Sequence, residues 1–425
     1  MRLTLEALKA LRPWPVYLLA AALPFSLAAV NVSKLLLVVT GLSVIGLGQS
    51  NKNHINLLGK FMTVKWILLM LGLLAMSLTY TSAPMQTALL GWAKYAKLIV
   101  FLLPLLTIRR EREARTAITI LLIAQTFVMF TTYLMSWGWQ VPWVPADRFS
   151  PERTQGSKSD YAAYSSYLDQ SLMTAGYAVL CWHLRDKFPD PLGKKIPIVL
   201  SIFAIFTVFF VLLGRSGQVA MLAVILLSLL WYVERKRRLY VLLASVLIIT
   251  TAVAVPSAFK DRMSLVISEA NSYFDQTEAE TSTGIRLNLW LRATQAIAER
   301  PLTGYGVASF DHEYRRLEAS SGTSTDASAI HNAHQEYLQW GVQLGFGGVA
   351  LMLGLIVVMI KDAQQLAYPA RWATQSLVTI FAIACLFNCA LFDALIGDYF
   401  CFTIGLLLTY GAMKPDPETS RTIAV

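Results

Sequence analysis

The residues best equipped for chemistry gather in one stretch, IHNAHQEYLQWGVQLGFGG, from Ile330 to Gly348. It holds two of the five histidines in the chain, His331 and His334, with Asn332 between them and Glu336 just beyond. Here a polar segment gives way to an apolar one. An imidazole with an unperturbed pKa of about 6.5 is neutral often enough at neutral pH to accept a proton, so His334, at the helix start, reads as a general base. The three-residue spacing also brings both histidines near Glu336 if the helix has already begun, but a zinc site wants a further protein ligand and a second shell. Interfacial histidines bonded to loop backbone are the third reading.

Two arginines stand out beside them. Arg215 is alone in LLGRSGQVA, a tight turn between apolar runs, where Gly214, Ser216 and Gly217 let backbone amides approach an anion. A snorkelling arginine is the ordinary alternative. Arg286 falls in the first turn of a helix expected in TGIRLNLWLRATQAIAERPLTGYG, with Thr283 as cap, an apolar face of Ile285, Leu289, Trp290, Ala293 and Ile297, and Pro301 as the stop. A cation there opposes the helix dipole by about 0.3–1 kcal/mol, unless an anion is held between it and the helix amides. An interdomain salt bridge is the alternative, and Arg292, on another face, reads as solvated or ion-paired. Lys94 and Lys97, in GWAKYAK, fall at the outer start of a span, where either could meet a lipid phosphate. Asp393 and Asp398, in LFDALIGDYF, fall in the last hairpin and could orient His334 or bind a sugar hydroxyl. Tyr305, Phe310, Tyr314, Tyr337 and Trp340 are candidates to stack on sugar rings. The chain has no GxxxxGK, HExxH or Asp-x-Asp motif, so a reaction here needs a substrate carrying its own activated bond.

The elements that position these residues are membrane helices. Of 425 residues 56% are hydrophobic and 15% charged, and apolar runs of about 18 residues recur from end to end. Twelve spans are expected: 14–30, 33–47, 63–80, 95–107, 117–137, 164–184, 196–213, 218–233, 240–255, 334–360, 372–391 and 395–412. The second and fourth are short enough to be tilted or broken. A second apolar run follows the first almost at once, so the first reads as an uncleaved span rather than a signal peptide. The net charge of +10 records topology rather than nucleic-acid binding. With the amino terminus in the cytoplasm, the dense basic clusters RREREAR (Arg109–Arg115), LRDKF to GKK (Leu184–Lys195) and ERKRR (Glu234–Arg238) fall inside, with roughly 22 of the 36 Lys and Arg. Both termini are then cytoplasmic. The division is 1–255, spans one to nine; 256–333, an outer loop domain; and 334–425, the last three spans and a tail. The four cysteines lie in apolar segments and read as buried small hydrophobes. His331 and His334 come to the outer mouth of a span.

A histidine base and two arginines beside lipid suit a sugar chain on a polyprenyl diphosphate. The arginines stabilise the charge that grows on the leaving diphosphate, and the base takes the acceptor proton. Ser282–Gly306, STGIRLNLWLRATQAIAERPLTGYG, approximates a pattern SGIRLxxW…ERPLxGxG, and His334–Gly348 approximates a following HNxYLQ…G box. Together they resemble the O-antigen ligase and polymerase superfamily. Gln335 stands where that family has asparagine, which leaves open whether Asn332 substitutes. The resemblance implies an all-α, GT-C-like glycosyltransferase of the bacterial inner membrane, with about 12 transmembrane helices and one large, partly helical periplasmic loop before the third-last span. It implies an undecaprenyl-diphosphate-linked O-polysaccharide donor and no metal or other cofactor. His334 takes the family's histidine position, Arg286 its arginine in the loop helix and Arg215 its arginine between two middle spans. One large loop and this length look more like a ligase, with lipid A–core as acceptor, than a polymerase. A polymerase and a protein O-oligosaccharyltransferase use the same donor. A transporter, which would hide charges at the midplane and show internal repeats, fits less well.

Overall fold

The computed structural model describes residues 11–46, 57–150, 160–187, 191–245, 264, 268, 282–321 and 331–413. Among these there is no strand, and seven helices are long and apolar enough to cross a membrane. The expected ninth span is described only to residue 245, and most of 256–281, the polar stretch 322–330 and the tail after 413 lie outside the described residues.

The described residues open with α1 (Trp14–Ala22) and α2 (Leu27–Gly46). The break falls at Leu23–Ser26, not at 31–32 as the hydropathy suggested. Pro24 has no N–H to continue the ladder, and Phe25 and Ser26 both donate back to the Ala22 carbonyl at 2.9 and 3.1 Å. Hydropathy runs unbroken across this point, so only the proline marks it. Next come α3 (Met62–Ser77), α4 (Met85–Tyr95), a 3₁₀ segment (Ala96–Phe101) and α5 (Leu102–Thr107). The last three form one crossing, Met85–Thr107, which starts ten residues before the expected boundary at Tyr95. Lys94 and Lys97 are therefore mid-element. The bundle continues with α6 (Glu111–Ser136), α7 (Tyr167–Leu184), α8 (Pro191–Phe206, extended by a π-turn Thr207–Val211) and α9 (Arg215–Tyr232). A helical pair, α10 (Ser282–Glu299) and α11 (Phe310–Ser321), precedes α12 (Glu336–Gln364), α13 (Ala370–Phe387) and α14 (Ala394–Ala412). α14 is central, with 83% of its apolar stretch buried, whereas α8 and α9 lie at the edge with 28% and 33%.

The pair α10–α11 has a small core of its own, in which Leu289, Ala293 and Ile297 meet Phe310, Tyr314 and Leu317. Thr283 lies inside α10 rather than capping it. Arg292 is ion-paired with Glu318 of α11 at 2.6 Å. The aromatic rings expected at a sugar site are core instead: Phe310, Tyr314 and Trp340 are each at most 2% exposed, and Tyr305 is buried with Arg300 stacked 4.5 Å from its centroid.

The ERPLTGYG segment fastens this pair to the bundle. α12 is broken at Leu344–Gly345, where Gly345 has φ +63°. The carbonyls freed at the break find partners in the segment: Tyr305 N–H donates to Val342 at 2.8 Å and Gly306 N–H to Gln343 at 2.9 Å, while Phe346 N–H donates to Pro301 at 2.7 Å. The other side of the segment meets the end of α3, with Val307 N–H on Ser77 Oγ at 3.0 Å and Thr81 Oγ1 on the Val307 carbonyl at 2.8 Å. Gly304 has φ +62°, and a Cβ there would lie 2.5 Å from the Gln343 carbonyl carbon. Gly304→Ala is expected to cost at least the left-handed penalty of about 1–2 kcal/mol plus the clash, read as a lower unfolding temperature in detergent and looser protection of residues 301–308 in hydrogen exchange.

Candidate active site

The end of the bundle where α7 and α9 begin and α13 stops collects the polar side chains. α12 starts at Glu336 because Gln335 caps it, its Oε1 accepting from Leu338 N–H at 2.6 Å. His334 therefore stands outside the helix, in the left-handed region at φ +46°. Such a conformation costs a non-glycine residue about 1–3 kcal/mol and persists only where its surroundings enforce it. Asn332 does so, its Oδ1 accepting the His334 backbone N–H at 2.9 Å. The two amides thus divide the work: Gln335 caps and Asn332 sets the histidine.

This start corrects the shared helical face. His331 is exposed, and Glu336 is fully buried, its carboxylate accepting from Trp340 Nε1 at 2.9 Å and Leu391 N–H at 2.8 Å. Glu336 pins the α13–α14 turn rather than pairing with the histidines. Among the described residues no three His, Cys, Asp or Glu side chains converge as metal ligands.

The imidazole of His334 is half-buried, with Nδ1 3.5 Å from Asn388 Oδ1. Asn388 closes the C-terminus of α13 and also bonds the carboxylate of Asp393, the residue just before α14. With Asn388 Oδ1 accepting from Nδ1–H, Nε2 is left as the proton acceptor. Burial holds the His334 pKa below its ordinary value; the Asn388 bond opposes this, the Arg286 charge adds to it, and the Asp393 charge opposes it. Burial pushes the Asp393 carboxyl up, against the charges of His334, Lys97 and Lys94 and the Asn388 bond. Asn388 was not singled out in the sequence. Its signal was an amide in an otherwise apolar run, IACLFNCALF.

Lys97 is buried and donates to the carbonyls of Phe392 and Asp393, and the Lys94 ammonium sits 3.7 Å from the centroid of the Phe392 ring. Both lysines grip the turn that carries Asp393. Asp398 lies inside α14, bound to Lys34 of α2 at 2.6 Å, so of the two hairpin aspartates only Asp393 faces the histidine. Tyr337 is buried, its hydroxyl donating to the Ala382 carbonyl at 3.1 Å.

Arg286, half-buried on α10, is near enough for its charge to act on His334. Arg215 is the first residue of α9, where Gly214 and Gly217 pack directly against Ser171 of α7. In the same first turns of α7, Asp169 lies within electrostatic range of Asp393 and Lys97. Arg215 thus begins α9 beside α7, and among the described residues it makes no contact with the histidine group. It is half-buried and makes no hydrogen bond or ion pair with another described residue.

Residues 200–353 match the family model Wzy_C, described as O-antigen ligase. That interval contains Arg215, Arg286 and His334 and ends within α12. The α13–α14 turn with Asn388 and Asp393 lies beyond it. The chain is also 27% identical over 189 residues to an uncharacterized protein of Haemophilus influenzae, covering 43% of this chain and 45% of that protein. It thus spans less than half the length of that relative. With its apolar helices, the chain is a multi-pass membrane protein similar to the O-antigen ligases and polymerases.

Proposed function

We propose that the protein is a GT-C-like glycosyltransferase that ligates O-antigen polysaccharide from undecaprenyl diphosphate onto lipid A–core during lipopolysaccharide assembly. In this reading it spans the bacterial inner membrane about 12 times with both termini cytoplasmic. The 256–333 domain and the His334 end face the periplasm. The helix order supports that sidedness, because the basic stretches at 109–115, 185–195 and 234–238 fall at the opposite end of α6, α7, α8 and α9.

The observation that carries the reading is the grouping around His334: an imidazole kept neutral by burial, an amide–carboxylate pair behind it, and the charge of Arg286 before it. His334 Nε2 takes the proton of the acceptor hydroxyl as its oxygen bonds to the anomeric carbon. The bond from that carbon to the diphosphate oxygen breaks, and undecaprenyl diphosphate leaves with the electron pair. Arg286 and Arg215 offset the charge that grows on it. Asn388 and Asp393 hold the ring in the tautomer that leaves Nε2 free.

The test is a reconstituted transfer assay with undecaprenyl-diphosphate glycan and EDTA, offering lipid A–core, a second donor molecule or a Ser/Thr peptide. Product on lipid A–core is expected, undiminished by EDTA and lost in His334→Ala. Product only on the second donor or the peptide would make the protein a polymerase or a protein glycosyltransferase. No product from folded protein with any acceptor would overturn the reading.

A further inference from the structure

The proposed reaction leaves the far end of α7, α8 and α9 unused. A cavity of about 210 Å³ runs from the middle of the three helices toward that end, walled by Val179 of α7, Ile205 of α8 and Met221, Val224 and Ile225 of α9. The two hydroxyls in its wall are turned to the protein: Ser201 Oγ donates to the Ala178 carbonyl at 2.9 Å, and Ser228 Oγ lies 3.5 Å from His183 Nε2. Such a lining offers water almost no partners, and an apolar space of this kind takes an apolar occupant. It lies on the two helices least covered by the rest of the bundle, where acyl chains surround the protein.

The mouth is chemically different. Trp182 and Tyr232 form its rim, and Arg185 bridges them: its guanidinium stacks 4.7 Å from the Trp182 centroid, Nη2 lies 3.5 Å from the Tyr232 hydroxyl, and Nη1 bonds the Trp182 carbonyl. Among the described residues, exposed Lys194 and Lys195 stand near the start of α8 and Arg235 to Arg238 follow directly on α9, while the acids are Asp186, 3.9 Å from Lys194, and Glu234, 3.9 Å from Arg237. An apolar slot beneath a strongly basic rim matches one lipid class by charge as well as by shape.

We propose that this cavity binds an anionic phospholipid, with an acyl chain between α7, α8 and α9 and the phosphate headgroup against Arg185 and the rim. The polyprenyl donor is a poorer match. α7 is 18 residues long, about 27 Å, so a diphosphate at the Arg215 end would leave the basic rim without its anion. This site is independent of the transfer reaction.

Full-length protein in phosphatidylcholine nanodiscs would be photolabelled with phosphatidylglycerol carrying an acyl-chain diazirine, and the adducts mapped by peptide mass spectrometry. Adducts on residues 178–182 and 221–232 are expected, several-fold above those from a phosphatidylcholine probe with the same chain. The triple variant Arg185→Gln, Arg235→Gln, Arg237→Gln should bring the two probes level, and Ile225→Trp should remove both sets by filling the slot. The charge variant changes residues outside the core, so it remains decisive if the tryptophan variant does not fold. Equal labelling of the unmodified protein by both probes, labelling elsewhere, or stronger labelling by a diazirine polyprenyl phosphate would overturn the proposal.

Discussion

Replacing His334 by alanine is expected to lower transfer about 10²–10⁴-fold, the range for loss of a positioned general base. Alanine alone does not separate chemistry from backbone, because His334 sits at φ +46°. Asparagine settles this. It enters the left-handed region readily, so His334→Asn preserves the loop but accepts no proton. If the base is lost, His334→Asn is as inactive as the alanine variant; activity within tenfold of the unmodified protein would leave His334 a merely structural role. The pH profile gives a second reading. Only the neutral imidazole accepts a proton, so kcat/KM should fall as pH drops through a pKa below the ordinary value of about 6.5, and be flat at neutral pH. Arg286 holds that pKa down and Asp393 holds it up. Arg286→Gln should therefore move the acid limb to higher pH, and Asp393→Asn should move it lower. Limbs that shift in the same direction, or not at all, would mean that another group titrates.

How much of this could be read from the residues depended on the range of the interaction. The apolar runs 218–233 and 395–412 became α9 and α14 with boundaries moved by three residues at most, since a membrane helix satisfies its backbone locally. The 95–107 run was misplaced because two lysines look like a helix end. Lys97 is tolerated inside because it bonds carbonyls almost 300 residues away, at Phe392 and Asp393. The same limit governs the site. His334 stood out through its own neighbours, but its partner Asn388 is 54 residues distant, and a single amide in an apolar run does not announce what it faces. The helical-face reading of His331, His334 and Glu336 failed on one local detail, the cap at Gln335, which starts the helix after the histidine. The glycines of ERPLTGYG were legible as turn residues. That the turn exists to satisfy carbonyls at a break in α12 was not, because the break itself is set by Gly345, more than 35 residues on.

Loss of either arginine should cost about 10²–10³ in kcat, the range of roughly 2.7–4 kcal/mol found when one preorganised donor to a developing charge is removed. The leaving diphosphate gains charge as the sugar bond breaks, so the deficit belongs mainly in kcat rather than in KM. Arg215 gives the cleaner test. It makes no ion pair with a described residue, so Arg215→Gln leaves no described carboxylate unpaired, and its unfolding temperature should match the unmodified protein's. Arg215→Lys should recover only part of the activity, because a lysine keeps the charge without the planar fork that grips two phosphate oxygens. The two arginines stand on different elements, Arg286 on α10, where its charge acts on His334, and Arg215 at the start of α9. If both hold one diphosphate, their losses cannot be independent: once one grip is gone the leaving group is no longer fixed for the other, and the double variant should be only slightly worse than the worse single one. Losses that simply multiply would place the arginines on separate ligands, and the diphosphate clamp would then rest on Arg286 alone.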